Sequence, residues 1–168
     1  MSWELRPAGL EDVGAIAQLD REGFEGYRAF APPGWAPPSA EEEREWLSTH
    51  LGNPAVWCVL AEDSVGPAGH VAFMPAAQAR HASNDPGLAH LWLLFVRTSL
   101  WGSGLATELH TRALEEAARR GFTAMRLFTP AGQGRARRFY EREGWEVAGE
   151  PFDDAEFGLA LVEYRRGL

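Results

Sequence analysis

Two short segments carry residue types at spacings that can do chemistry. In the first, His90 and an apolar run over residues 91–96 (LWLLFV) are followed by Trp101-Gly102-Ser103-Gly104-Leu105-Ala106-Thr107, and then by an amphipathic stretch that ends at Gly121. The run has the length and composition of a buried strand, and the stretch beyond the glycines that of a helix. A glycine-rich turn between strand and helix leaves backbone N–H groups without partners, and the helix dipole adds positive potential at the same end. Such a turn suits a phosphate or pyrophosphate. The chain contains no lysine, which excludes a P-loop. Only Gly102 and Gly104 fit a G-x-G-x-x-G dinucleotide frame, because Thr107 occupies the third place and the segment lies past the middle of the chain.

The second segment, residues 133–147, reads QGRARRFYEREGWEV. Ala136, Phe139 and Tyr140 share one helical face, Gly144 follows as a natural C-terminal stop, and Trp145 opens an extended stretch. Between the two segments, residues 124–129 (AMRLFT) read as a strand. The predicted order is strand, phosphate turn, helix, strand, helix, strand.

With both segments placed, the chain resembles the GNAT superfamily of N-acyltransferases. Their acyl-CoA motif, [Q/R]-x-x-G-x-[G/A], is similar to residues 101–106 at its last two defining places, Gly104 and Ala106. Their second motif, N-x-x-A-x-x-F-Y-E-x-x-G-F, is matched at Ala136, Phe139, Tyr140, Glu141 and Gly144. The chain departs from the pattern at three places. Trp101 replaces Gln or Arg, removing a polar side chain from the phosphate turn; Gln133 replaces Asn; and Thr98 stands where proline is common.

The resemblance implies a mixed α/β (α+β) fold, the GNAT acyl-CoA N-acyltransferase fold, with a mostly antiparallel sheet of about six to seven strands and about four helices. It implies acetyl-CoA as co-substrate and an acceptor that is a small-molecule amine or a peptide, with no metal. The backbone of Leu94, Phe95 and Val96 would pair with the pantetheine arm. The N–H groups of Gly102, Ser103, Gly104, Leu105, Ala106 and Thr107 would hold the pyrophosphate, with Gln133 and Tyr140 also at the cofactor.

Acyl transfer to an amine needs a positioned thioester, a neutral amine, a stabilised oxyanion and a proton for the departing sulfur. The resemblance makes Tyr140 the general acid. The base stays open between His90, whose ordinary pKa suits the task, His70, Glu22, Glu25 and ordered water. Phe24, Tyr27 and Trp35 lie in FEGYRAFAPPGWAPP, where prolines stiffen a loop and aromatics offer walls for a substrate. They are the candidate acceptor-binding residues; packing on the core is the alternative. Asp153, Asp154 and Glu156, before the last strand, either face the acceptor likewise or, the safer reading, form a solvated turn. The competing function is a catalytically silent CoA-binding sensor of the same fold.

The elements that must position these residues are legible upstream. Residues 3–6 read as a strand and 11–21 as a helix with Val13, Ile16, Ala17 and Leu19 inward. Ser39 and Glu42 form a capping box for a helix to Leu51. Residues 55–62 and 68–74 form a hairpin across Gly66-Pro67, and residues 145–150 and 156–165 are the last strands. At 168 residues the chain fits one domain, 1–168. No run of 18 apolar residues predicts a membrane span. One cysteine, Cys58, and an N-terminus unlike a signal peptide point to the cytoplasm. A net charge of -8 argues against nucleic-acid or anionic-membrane binding. A homodimer is compatible with the seven tryptophans but marked by no stripe.

Overall fold

The alternation of apolar runs with capped amphipathic helices produces one eight-stranded sheet covered on both faces. The computed structural model describes residues 2–168. In chain order the elements are β1 (Glu4–Pro7), α1 (Val13–Glu25), α2 (Ala40–Leu51), β2 (Trp57–Asp63), β3 (Gly66–Pro75), β4 (Leu88–Val96), α3 (Leu105–Arg119), β5 (Ala124–Pro130), α4 (Gly134–Arg142), β6 (Glu146–Val147), β7 (Phe152–Asp154) and β8 (Leu159–Gly167). The sheet order is β1-β2-β3-β4-β5-β8-β6, with β7 also paired to β8. Every pairing is antiparallel except β4 with β5, which α3 connects as a crossover.

The eighth strand is β7, in the segment expected to be a solvated acidic turn. The strand expected over residues 145–150 shrinks to β6, because Trp145 is instead buried and donates its indole N–H to His110 Nε2 at 2.8 Å. The other elements fall where the periodicity places them. Ser39 caps α2 reciprocally with Glu42: Glu42 N donates to Ser39 Oγ at 3.1 Å, and Ser39 N to Glu42 Oε2 at 2.8 Å. Among the described residues no helix is long and apolar enough to cross a membrane.

On one face α3 sets Leu105, Leu109, Ala113 and Ala117 against β3–β5, a stripe at four-residue spacing. On the other, Ile16, Ala17 and Leu19 of α1 and Leu47 of α2 pack on Cys58, Leu60, Ala72 and Leu93. Here α1 lies against β4 because Gly23 has no side chain: a Cβ there would sit 2.2 Å from the Phe95 ring.

Beneath α1 and α2 lies a polar cluster within this apolar layer. His70 Nε2 and Asp20 Oδ1 are 2.6 Å apart, both side chains fully buried, with Glu43 beside them. Burial pushes the Glu43 carboxyl up to about 9, reinforced by the neighbouring Asp20 carboxylate. Burial raises Asp20 as well and depresses the His70 imidazole. For Glu43 the folded state holds its proton where the unfolded chain, with a value near 4.5, has released it. Its contribution to stability is therefore complete below pH 4.5 and lost as pH climbs towards 9. Glu43→Gln removes that ionisation. Its melting temperature relative to wild type is expected to rise steadily from pH 5 to pH 9 in thermal unfolding scans, whereas a constant offset would show that Glu43 does not titrate in this window.

Candidate active site

The phosphate turn forms because two glycines adopt left-handed backbone, Gly102 at φ 79° and Gly104 at φ 94°. The turn is tied down by Trp101 N to Thr98 O and Ser103 N to Leu100 O, while Glu22 accepts from the backbone N–H and hydroxyl of Thr98. Leu105 N faces Ser103 Oγ at 3.3 Å. That leaves the N–H groups of Gly102, Gly104, Ala106 and Thr107 with no acceptor among the described residues. The expectation that all six residues would offer their N–H groups is corrected here: the N–H of Ser103 is consumed by the turn, and that of Leu105 by the Ser103 hydroxyl. A Cβ at either glycine would meet no protein atom within 4 Å, so these N–H groups border open space.

Trp101 changes the character of this turn rather than emptying it. Its indole donates to Val96 O at 3.2 Å, and the Arg135 guanidinium of α4 sits 3.9 Å from its ring centroid. The cation missing from position 101 is thus brought in by stacking. Arg135→Ala is expected to weaken CoA binding about five-fold without a change in melting temperature, an effect in the range of one exposed cation–π contact or phosphate charge. Unchanged affinity in a calorimetric titration would make the stack purely structural.

Behind the turn the sheet opens. β4 and β5 pair only at Leu88↔Ala124, Ala89↔Met125 and His90↔Arg126. Both strands continue beyond that point, each paired on its far side only, so residues 91–96 present an unpaired strand edge to the gap. Leu94, Phe95 and Val96 lie on this edge, although the Val96 carbonyl is occupied by Trp101. An extended arm with amide groups can add to such an edge as a strand would. Opposite Ala72 and Phe73 stand Leu93 and Leu91, which makes Trp92 the extra residue of a bulge. The bulge changes which side chains face the α1/α2 layer, His90 before it and Leu93 and Phe95 after it.

Tyr140 projects from α4 and packs against Trp145 and Tyr164, with ring centroids 5.8 and 6.2 Å away. Burial raises its phenol above the ordinary value, so it stays protonated at neutral pH, and its hydroxyl bonds to no group among the described residues. Its helix is anchored by a relay that sequence reasoning missed. Arg137 Nε donates to Tyr164 Oη at 2.9 Å, and that hydroxyl donates to Glu141 Oε1 at 2.8 Å. Gln133 is the residue preceding α4; its backbone N–H bonds to Pro130 O.

The sequence pattern of the Acetyltransferase (GNAT) family matches residues 19–145, well over half of the chain. The chain belongs to the GNAT family of acetyltransferases. It is an acyltransferase. Solved structures agree in fold. PaiA N-acetyltransferase from Thermoplasma acidophilum in complex with coenzyme A superposes with a TM-score of 0.74 at 17% identity, covering 97% of this chain and 98% of that one. A GCN5-related N-acetyltransferase from Kribbella flavida gives 0.74 at 20% identity over 99% and 98%. Ribosomal-protein-alanine N-acetyltransferase from Brucella melitensis gives 0.73 at 19% identity over 98% and 99%. No curated protein matches the sequence.

In this GNAT chain a cavity of about 130 Å³ lies on the α1/α2 face of the splayed strands. Phe24, Tyr27, Trp46, Trp92, Phe95 and Phe157 supply its aromatic walls, and Arg80, His81, His90 and Asp154 its polar end. Phe24 and Tyr27 line it and at the same time pack in a buried cluster with Leu159 and Leu161. Trp35 is not on the wall: its indole donates to Phe157 O at 2.8 Å and supports the wall from behind. Asp154, expected in a solvated turn, is 3% exposed and accepts from Arg80, from His81 at 2.9 Å and from Phe157 N at 2.8 Å. His90 reaches the cavity with a fixed tautomer. Its Nδ1 accepts from Arg126 Nε at 3.2 Å, and burial together with Arg126 pushes its pKa down to about 3, so the neutral ring carries its proton on Nε2. It offers the cavity a donor rather than a base. His70 and Glu22 are engaged elsewhere, and Glu25 pairs with Arg28.

Proposed function

We propose that this protein transfers the acetyl group of acetyl-CoA to a primary amine of a small molecule or peptide, by direct attack on the thioester, within one domain spanning residues 1–168. The observation that carries this reading is the conjunction of the open β4 edge, the four unpartnered N–H groups of the turn and the protonated Tyr140 hydroxyl. The cradle fits CoA: the N–H groups of Gly102, Gly104, Ala106 and Thr107 would receive its pyrophosphate, and the edge at residues 91–96 its pantetheine amides. When bound, acetyl-CoA supplies an activated acyl carbon with a thiolate leaving group.

The residues of the chain then have separate tasks. Backbone donors along the unpaired edge of β4 stabilise charge on the acyl oxygen. Transfer forms a C–N bond and breaks the C–S bond, while the amine loses one proton and the sulfur gains one. Tyr140, neutral because of burial, donates to the sulfur. Asp154, the carboxylate on the cavity wall, is held by Arg80 and His81, which makes it a poor acceptor for the amine's proton, so water carries it away. The aromatic walls exclude bulk solvent around the amine. A cytoplasmic setting is part of this reading, in keeping with the single, buried Cys58.

The test is calorimetric titration with acetyl-CoA, using ATP as control, followed by thiol release with a panel of amines. Saturable binding with turnover supports the enzyme. Binding without turnover of any amine would make the protein a CoA-binding module instead, and no binding would remove the cofactor assignment.

A further inference from the structure

Directly behind the polar end of the cavity lies a buried cation with no counter-ion. Arg126 is 3% exposed, yet among the described residues it forms no ion pair. Its Nε donates to His90 Nδ1, its Nη2 donates to Arg80 O at 2.9 Å, and its guanidinium carbon lies 4.7 Å from the Phe128 ring centroid. His90, Arg80 and Phe128 all line the cavity. Its Nη1 donates to no group among the described residues. Glu163 acts on it only at longer range and is itself held by Arg165 at 2.8 Å. A buried, unpaired guanidinium is costly unless an anion completes it.

The neighbouring groups add donors and no spare acceptor. Asp154 is already filled by Arg80, His81 and Phe157 N, and its side chain is 1% exposed. Glu156 reaches Arg80 Nε at 3.0 Å from the solvent side, 77% exposed, where an ion pair is worth little. Arg80 thus shares one buried carboxylate with His81, Arg126 behind it has none, and His90 adds an Nε2–H. A substrate ammonium finds no free carboxylate at this end, whereas a substrate oxyanion finds several donors. The rest of the cavity is mostly aromatic and aliphatic, and a dry cavity of roughly this volume, about 150 Å³, accommodates a benzene ring.

We infer that the acceptor is an amino acid or similar zwitterionic amine, with a free carboxylate received at the His90–Arg80 end in front of Arg126 and an apolar side chain no larger than one aromatic ring against Phe24, Tyr27, Trp46 and Trp92. This rests on the acetyltransfer reading for the amine but not for the binding of the carboxylate. Arg126 is a positioning and specificity residue, holding the His90 tautomer and supplying the charge.

Binding and turnover test the two readings separately. In calorimetry on CoA-saturated protein, N-acetyl-L-phenylalanine is expected to bind at least ten-fold more tightly than N-acetyl-L-phenylalaninamide. Arg126→Met and Arg80→Gln should each bring the ratio close to one while leaving the affinity for the amide in place. Arg126→Met should also melt no lower than wild type, since it removes an unpaired buried charge. Equal binding of acid and amide, binding of neither, or a ratio unaffected by both variants would overturn the inference. In turnover, phenylalanine, methionine and leucine should exceed their amides and spermidine by a similar factor in kcat/KM. Turnover of amines without preference for the acids overturns this inference alone. Acid-selective binding without turnover of any amine overturns acetyl transfer and leaves the carboxylate site standing.

Discussion

Gly104→Val is expected to leave a folded protein that no longer binds acetyl-CoA. The residue sits at φ 94°, in the region that side chains, and β-branched ones above all, adopt only under strain. A Cβ there would touch no protein atom within 4 Å, so the damage is conformational rather than a clash with the core. Relieving the strain rotates the peptide units that aim the Gly104, Ala106 and Thr107 N–H groups at a common point. Strain of about 1–2 kcal/mol corresponds to a fall in melting temperature of about 2–8 °C in a chain of this size. Loss of several charge-assisted hydrogen bonds at once should weaken acetyl-CoA binding by at least 100-fold. Calorimetry and a thermal scan on the same sample separate the two effects. Normal affinity in this variant would place the pyrophosphate elsewhere.

Tyr140→Phe should do the opposite, sparing binding and removing turnover. The Tyr140 hydroxyl bonds to no group among the described residues, and its ring packs on Trp145 and Tyr164, contacts that phenylalanine keeps. Stability and the dissociation constant for acetyl-CoA should therefore stay within about two-fold, while kcat falls by roughly 10²–10⁴, the range for loss of a general acid. Because burial raises the phenol, the wild-type enzyme should show no loss of kcat from this group up to at least pH 9. Single-turnover thiol release across pH, with both proteins, reads this directly. A variant with wild-type turnover would assign the proton to another donor and reduce Tyr140 to packing.

Much of this protein is encoded locally. The strand, turn and helix around Gly102 and Gly104, the helix bearing Tyr140 and the capping box at Ser39 are each determined by residues within one or two turns of chain. Backbone propensity, side-chain period and capping bonds act over that range. The same local information singled out Phe24 and Tyr27 but left open whether they line a site or pack on the core, and in the fold they do both. It misjudged Asp154: an acidic pair beside a turn looks solvated until Arg80 and His81, more than 70 residues away, arrive to neutralise it. Trp101 looked like a loss for the same reason, since Arg135 stacks on it only once α4 is docked.

The splay of β4 and β5, the bulge at Trp92, the His90 tautomer and the unpaired charge of Arg126 were likewise decided by tertiary structure alone. Each depends on which strand lies beside which, and in what register. A single residue of register decides whether a side chain faces the cavity or the opposite layer. The sequence by itself determined the glycine turn between strand and helix and the helix that carries Tyr140. The register of β4 against β5 decided that His90 and Arg126 meet, because each takes its partner, and its pKa the direction of its shift, only on burial.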